Sequence, residues 1–184
     1  MKLIPFVLAL IPAIAFSKTR LEDYYVGFEI STLVDPSEYD AETYDLSLNL
    51  PALENSNFQF SIEIIDGEGD TANDIGVDYL YRFEDFDGVI PFAGLGINHL
   101  NDGDDDETFW NLYLGLEFSV SDQLTLMPKL RLHQGFDDYD DTELEASIAL
   151  TYWLADNHGL SLNYTHNSYG ESDYLGLQYL YSWE

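Results

Sequence analysis

The side chains best suited to covalent chemistry in this sequence are His166 and Ser168, in the run Tyr164-Thr165-His166-Asn167-Ser168. Spaced by two, they fall on one face of an extended strand, where an imidazole can serve as base for a serine attacking an ester. Glu171, three residues past the serine, is the nearest acid able to orient the imidazole, and Asp173 is the next. The plainer account of the same residues is a strand running into a turn. An esterase built on His166, Ser168 and Glu171 is therefore the alternative reading, not the leading one.

A second group of ionisable residues recurs at strand spacing: Glu29, Asp45, Glu63, Asp78, Arg82, Glu117, Lys129, Arg131, His133 and Glu145. They share their strand faces with small or polar residues such as Ser31, Ser47, Ser61, Gly76, Ser119 and Ser147. Carboxylates in a confined interior are costly unless paired, so Arg82, Lys129 and Arg131 are expected among the acids in a hydrogen-bonded network. A third group lies in Asn101-Asp102-Gly103-Asp104-Asp105-Asp106-Glu107. Asp102, Asp104 and Asp106 offer hard oxygen ligands suited to calcium or magnesium, but the run lacks EF-hand spacing, so only a loosely bound ion is expected. His99, His133 and His158 have no zinc-site spacing, and cysteine is absent. No dedicated cofactor is expected.

Six basic residues against 35 acidic ones give a formal charge of -29. Such an excess repels a phosphate backbone, which excludes nucleic acid as a partner. At 184 residues, 46% hydrophobic and 15% aromatic, the chain suits one folded domain rather than disorder. From Asp23 to Trp183 the dominant period is two, as in Tyr24/Val26/Phe28/Ile30, Phe58/Phe60/Ile62/Ile64 and Leu112/Leu114/Leu116/Phe118. This alternation predicts ten strands and no helix. Pro91 and Pro128 fall inside the fifth and seventh strands, where a missing N–H is awkward, and eight strands is the alternative count.

Alternation does not say which face is inside; volume does. A barrel of eight to ten strands encloses little more than its own side chains, and the bulky face would bring roughly forty large residues into that space. The small, polar face therefore belongs inside and the bulky face outside, in an all-β, transmembrane, antiparallel up-and-down barrel. A soluble periplasmic β-sandwich binding protein, with the bulky face as its core, is the rival architecture.

Residues 1–17 combine Lys2, an apolar stretch from Leu3 to Ala15 and a small-x-small site at Ala15-Phe16-Ser17. They are expected to be a signal peptide, leaving 18–184 as the barrel domain. Longer acid-rich connections at 34–41, 66–73, 101–107, 137–142 and 168–172 alternate with short turns such as Ser121 to Gln123. That asymmetry is typical of outer-membrane barrels. On these features, and on the closing stretch from Leu175 to Trp183, the chain resembles the small OmpA-type and OmpX-type outer-membrane barrels. The resemblance implies a place in the cell outer membrane, with membrane lipid and lipopolysaccharide around it. It also implies that the barrel-assembly machinery reads the closing stretch, although here Glu184 follows the terminal aromatic Trp183. The role implied is structural, or that of a small porin-like protein whose surplus carboxylates favour cations. The His-x-Ser pair on a late strand is similar to the lipid A deacylases, barrel enzymes that use a His, Ser and Glu triad to remove an acyl chain. That likeness reaches His166 and Ser168 only.

Overall fold

The computed structural model describes residues 23–35, 41–67, 71–103, 106–136, 142–168 and 171–183. Ten strands follow one another: β1 (Tyr24–Asp35), β2 (Glu42–Leu53), β3 (Ser56–Asp66), β4 (Thr71–Arg82), β5 (Val89–Asn101), β6 (Asp106–Ser121), β7 (Leu124–Gly135), β8 (Thr142–Ala155), β9 (His158–Asn167) and β10 (Ser172–Trp183). Each pairs antiparallel with its neighbour in the chain, and β10 returns to β1, so the sheet is a closed up-and-down barrel. Two-residue turns at Glu54-Asn55, Asp122-Gln123 and Asp156-Asn157 join hairpins at one end. The β4–β5 connection at that end is longer; Asp87 and Gly88 take φ of 55° and 83°, and the Gly88 N–H donates to Asp85 Oδ1 at 2.7 Å. This end, which also holds Tyr24 and Trp183, is called the turn end; the opposite one is the loop end.

The fifth and seventh strands are complete despite Pro91 and Pro128, so the count is ten rather than eight. Pro91 sits where β4 has already ended at Arg82, and its carbonyl accepts the Phe83 N–H at 2.9 Å. Its missing N–H therefore faces a stretch with no ladder to break. Pro128 does interrupt a ladder. β6 pairs with β7 at Gly115↔Lys129 and again at Phe118↔Leu126, while the two positions between drop out.

The faces divide as the volume argument requires. Among the described residues, 36 large hydrophobic side chains are exposed while eight apolar residues are buried, and sixteen buried residues are polar or charged. Leu114 is 55% exposed and Ser47 only 5%. A two-sheet sandwich needs the reverse, and the closed single sheet replaces it. Aromatic side chains gather on the outside near both rims. Tyr24 stacks on Trp183 at 6.1 Å and Tyr81 meets Phe83 edge-on at 5.3 Å near the turn end. Tyr44, Trp110 and Tyr164 stand toward the loop end.

The interior is not uniformly small and polar. Toward the turn end the lumen is filled by two buried apolar clusters, Tyr25/Trp153/Leu180 and Leu80/Phe92/Tyr113, the second packed against Met127. Five of the six members have a glycine beside them on a neighbouring strand: Leu80 and Tyr113 both pair with Gly94, Phe92 with Gly115, Trp153 with Gly159 and Leu180 with Gly27. The glycines make room. A Cβ added at Gly115 would stand 2.2 Å from the Phe92 ring, closer than real atoms approach.

Gly115→Val should therefore force Phe92 out of its rotamer and destabilise the barrel by about 1–3 kcal/mol, the usual cost of overpacking. Urea unfolding followed by tryptophan fluorescence reads this directly; an unchanged midpoint would mean that the cluster is loosely packed.

Candidate functional site

Above the apolar clusters, in the loop-end half of the barrel, the lumen holds a cavity of about 410 Å³. Tyr25, Leu80, Phe92, Tyr113 and Met127 border it from the turn-end side, while partly exposed Leu100, Glu143 and Asn167 border it toward the loops. Its walls carry seven carboxylates, Glu29, Asp45, Glu63, Asp74, Asp78, Glu143 and Glu145, against Lys129, Arg131 and the imidazole of His133.

These charges are segregated by strand. Glu29 on β1 pairs with Asp45 on β2, Asp45 with Glu63 on β3, and Glu63 with Asp74 on β4. Four carboxylates thus stand in one cross-strand row, an arrangement that is destabilising without compensation. The cations stand elsewhere: Lys129, Arg131 and His133 alternate along β7 and point into the lumen. Acid strands and a basic strand share one narrow space, so the field runs across the bore.

Arg131 organises one side. Its Nη2 donates to Asn98 Oδ1 at 2.9 Å, its Nη1 lies 3.5 Å from Glu145 Oε2, and its guanidinium stands 5.5 Å from the Tyr113 ring centre. Asn98 hands the connection on, its Nδ2 donating to both oxygens of Asp74 at 2.9 and 2.8 Å, and Asn111 donates to the same Asn98 oxygen. Lys129 also lies 5.5 Å from the Tyr113 ring centre. The other side is built from neutral donors. Asn163 Nδ2 donates to Glu29 Oε2 at 2.6 Å and the Ser31 hydroxyl to Glu29 Oε1 at 2.9 Å, with Ser161 donating to Asn163 and Thr151 to Ser161. Charge-assisted hydrogen bonds of this kind hold carboxylates at close quarters without a cation for each.

Of the nine residues expected in one network, Glu29, Asp45, Glu63, Asp78, Lys129, Arg131 and Glu145 line the cavity. Arg82 and Glu117 do not. Both are buried near the turn end, where Arg82 Nη2 donates to the Glu54 carbonyl of the β2–β3 turn at 3.3 Å. Asp74, Asn98 and Tyr113 belong to the site but were not singled out from the sequence. Asp74 and Asn98 follow the same inward period as Asp78 and Gly96, which is the signal that finds them. Tyr113, flanked by Leu112 and Leu114, is hidden in a wholly apolar run.

The other expected groups lie at the loop end. Asp104 is outside the described residues, as is the acidic run at 137–141; Asp106 accepts a hydrogen bond from Asn101, and Asp102 is exposed. Among the described residues no three His, Asp or Glu side chains come together to hold a metal. His166 is oriented by Asp173, its cross-strand partner, with Nδ1 and Oδ1 2.7 Å apart, rather than by Glu171, which occupies a turn at φ 46°. Ser168 Oγ accepts the Leu144 N–H at 3.0 Å and the Ser168 N–H donates to the Leu144 carbonyl at 2.9 Å. Among the described contacts Ser168 ties the β9 end to β8, and it makes no hydrogen bond to His166.

No protein-family model matches the chain, and no curated protein matches it in sequence. Its likeness to solved structures is one of fold. The KdgM porin superposes with a TM-score of 0.51 at 8% identity, over 87% of this chain and 99% of that one. The same porin in complex with disordered oligogalacturonate gives 0.50 at 8% identity, over the same shares of the two chains. The β domain of the Bordetella autotransporter BrkA gives 0.52 at 10% identity, over 88% and 99%.

Two substitutions separate the network from the pair at the rim. Arg131→Met strands the Glu145 carboxylate and the Asn98 bridge, and should lower unfolding free energy by about 2–3 kcal/mol in urea titrations. Ser168→Ala removes one acceptor at a strand end, should cost no more than about 1 kcal/mol, and should leave the acylation of envelope lipid unchanged by mass spectrometry. A change in acylation on expressing the wild type, lost in Ser168→Ala, would restore the esterase.

Proposed function

We propose that this chain is an outer-membrane barrel of a Gram-negative envelope with a structural role, its lumen shut on the periplasmic side and its acid-lined cavity presented outward. The exposed apolar belt supports the membrane placement. Soluble proteins seldom expose contiguous apolar patches beyond a few hundred Å², whereas acyl tails suit a belt that encircles the barrel. Tyrosine and tryptophan at both rims fit the headgroup level. Short turns and both termini belong on the periplasmic side, acid-rich connections on the outer side.

The observation that carries the closed lumen is the pair of apolar clusters. Tyr25, Trp153 and Leu180 are at most 2% exposed, and Leu80, Phe92 and Tyr113 at most 4%. The cavity above them reaches neither Arg82 nor Glu117. Were the seal displaced, seven carboxylates against two fixed cations would select cations. An oligogalacturonate, the polyanion found with the KdgM porin, suits that lining poorly. Acidic loops beside lipopolysaccharide phosphates would call for calcium or magnesium to bridge or screen the two. The closing stretch of β10, ending in Tyr181 and Trp183, is the segment offered to the barrel-assembly machinery.

Planar-bilayer recording distinguishes seal from pore. Wild-type protein that is inserted, as judged by heat-modifiable gel migration, should pass no stepwise current. Tyr25→Ala/Trp153→Ala/Leu180→Ala should open steps whose reversal potential in a salt gradient is cation-selective. Steady wild-type conductance would overturn the closed lumen, and recovery of the chain in the soluble periplasm would overturn the membrane placement.

A further inference from the structure

The outside of the barrel is not evenly covered. A groove of about 640 Å³ crosses its bulky face between the end of β4 and β9. It follows two neighbouring cross-strand rows. One runs from Phe83 past Pro91, Leu116, Pro128 and Ile148 to Tyr164, and the other from Leu114 past Leu130 and Ala146 to His166. Most other outward positions carry Leu, Ile, Val, Phe or Tyr; here Pro91, Pro128 and Ala146 are short. The ladder interruption opposite Pro128 falls in the same place. Gly115, Lys129 and Ser147, whose positions alternate to the lumen side, border the groove as well, so it is cut down to the backbone.

The loop-end terminus of this groove is polar. His166 is about half exposed, and its Nδ1 lies 2.7 Å from Asp173 Oδ1, which leaves Nε2 for another partner. The Tyr164 hydroxyl donates to the same carboxylate. Asp35 on β1 pairs with Asp173 across the closing seam, so two carboxylates stand together there. An apolar channel ending in an imidazole and paired carboxylates has the polarity of a lipid whose head is cationic at its tip.

We propose that the groove holds one acyl chain of a phospholipid carrying a primary ammonium headgroup, with the ammonium at Asp173, Asp35 and His166. Its occupant follows only if the belt lies in acyl tails, as proposed above. Charge selects the class. Asp35 and Asp173 attract an ammonium and disfavour a headgroup whose phosphate has no cation beside it, and a chain of net charge -29 does so over a longer range. The groove lies level with the bilayer chains that must cover the belt, and an acyl chain fills a narrow apolar slot where water gains no hydrogen bonds.

The test folds the full chain into vesicles of equal parts phosphatidylethanolamine and phosphatidylglycerol, exchanges it into a non-ionic detergent and weighs it by native mass spectrometry. Wild-type protein should retain one phosphatidylethanolamine in preference to phosphatidylglycerol. Ala146→Phe should lower retention by about tenfold, the loss expected when about two methylenes are kept out of the groove. Ala146→Leu serves if the larger side chain prevents folding, and Val77→Leu, elsewhere on the belt, should retain lipid as the wild type does. Asp173→Asn should keep a lipid but lose the preference between headgroups. Release of all lipid by inserted wild-type protein, equal retention of the two lipids, or full retention by the filled variants would overturn the proposal. Failure of the chain to enter vesicles at all would instead count against the membrane placement.

Discussion

Closure of one hydrogen-bonded ladder is the constraint on which this molecule depends. Once β10 pairs with β1 along most of its length, the sheet has no edge left to satisfy, and every strand must divide its side chains between a narrow inside and a wide outside. The two sides differ in capacity. A ten-strand ring leaves little interior volume, so most bulky apolar side chains go outward, and the large ones kept inside sit mostly beside glycines. In the membrane placement proposed here the same closure meets a second demand, since a hydrocarbon layer offers backbone N–H and C=O groups no alternative partner. The interruption opposite Pro128 is therefore conspicuous, and it coincides with the groove on the bulky face.

Inside the ring two kinds of interaction divide the length of the bore. Near the turn end, aromatic and aliphatic side chains are set against glycines on adjacent strands and exclude water. Near the loop end, a row of four carboxylates on β1 to β4 faces lysine, arginine and histidine on β7, with asparagine and serine donors filling the gaps. Neither half would serve in place of the other. The apolar clusters themselves need no counterions, although Arg82 and Glu117 are buried near them, while the acid row is tolerable only where cations and hydrogen-bond donors reach it. In the closed-lumen reading proposed above, a charged half over an apolar one makes a vestibule rather than a channel.

Much of the barrel was legible before any coordinates. Strand boundaries follow the two-residue period, the volume argument assigns the faces, and seven of the nine expected lumen charges do line one cavity. The apolar seal lies where alternation fails. Tyr24-Tyr25, Tyr79-Leu80-Tyr81, Tyr152-Trp153-Leu154 and Tyr179-Leu180-Tyr181 are apolar on both faces, and period-two counting records only the outward member of each run. Consecutive apolar residues near the turn end of successive strands are the visible trace of a filled bore. Alternation groups Arg82 and Glu117 with the other charges, since it reports the face a residue occupies and nothing about its height along the axis. His166 illustrates the same limit: its partner across the β9–β10 ladder is Asp173, while the nearer acid in sequence, Glu171, sits in the turn at positive φ.

Residue order alone carries the fold class and the sidedness of each strand, because these depend on local periodicity and on how much volume one ring encloses, while the choice of ten strands over eight waited on the completed β5 and β7. Tertiary structure decided which inward residues share a level. The stagger between strands slides each one along its neighbour, bringing Glu29, Asp45, Glu63 and Asp74 into one row and carrying Arg82 to the far end. That stagger is a property of the closed ring as a whole, set by the pairing of β1 with β10, and no single strand encodes it.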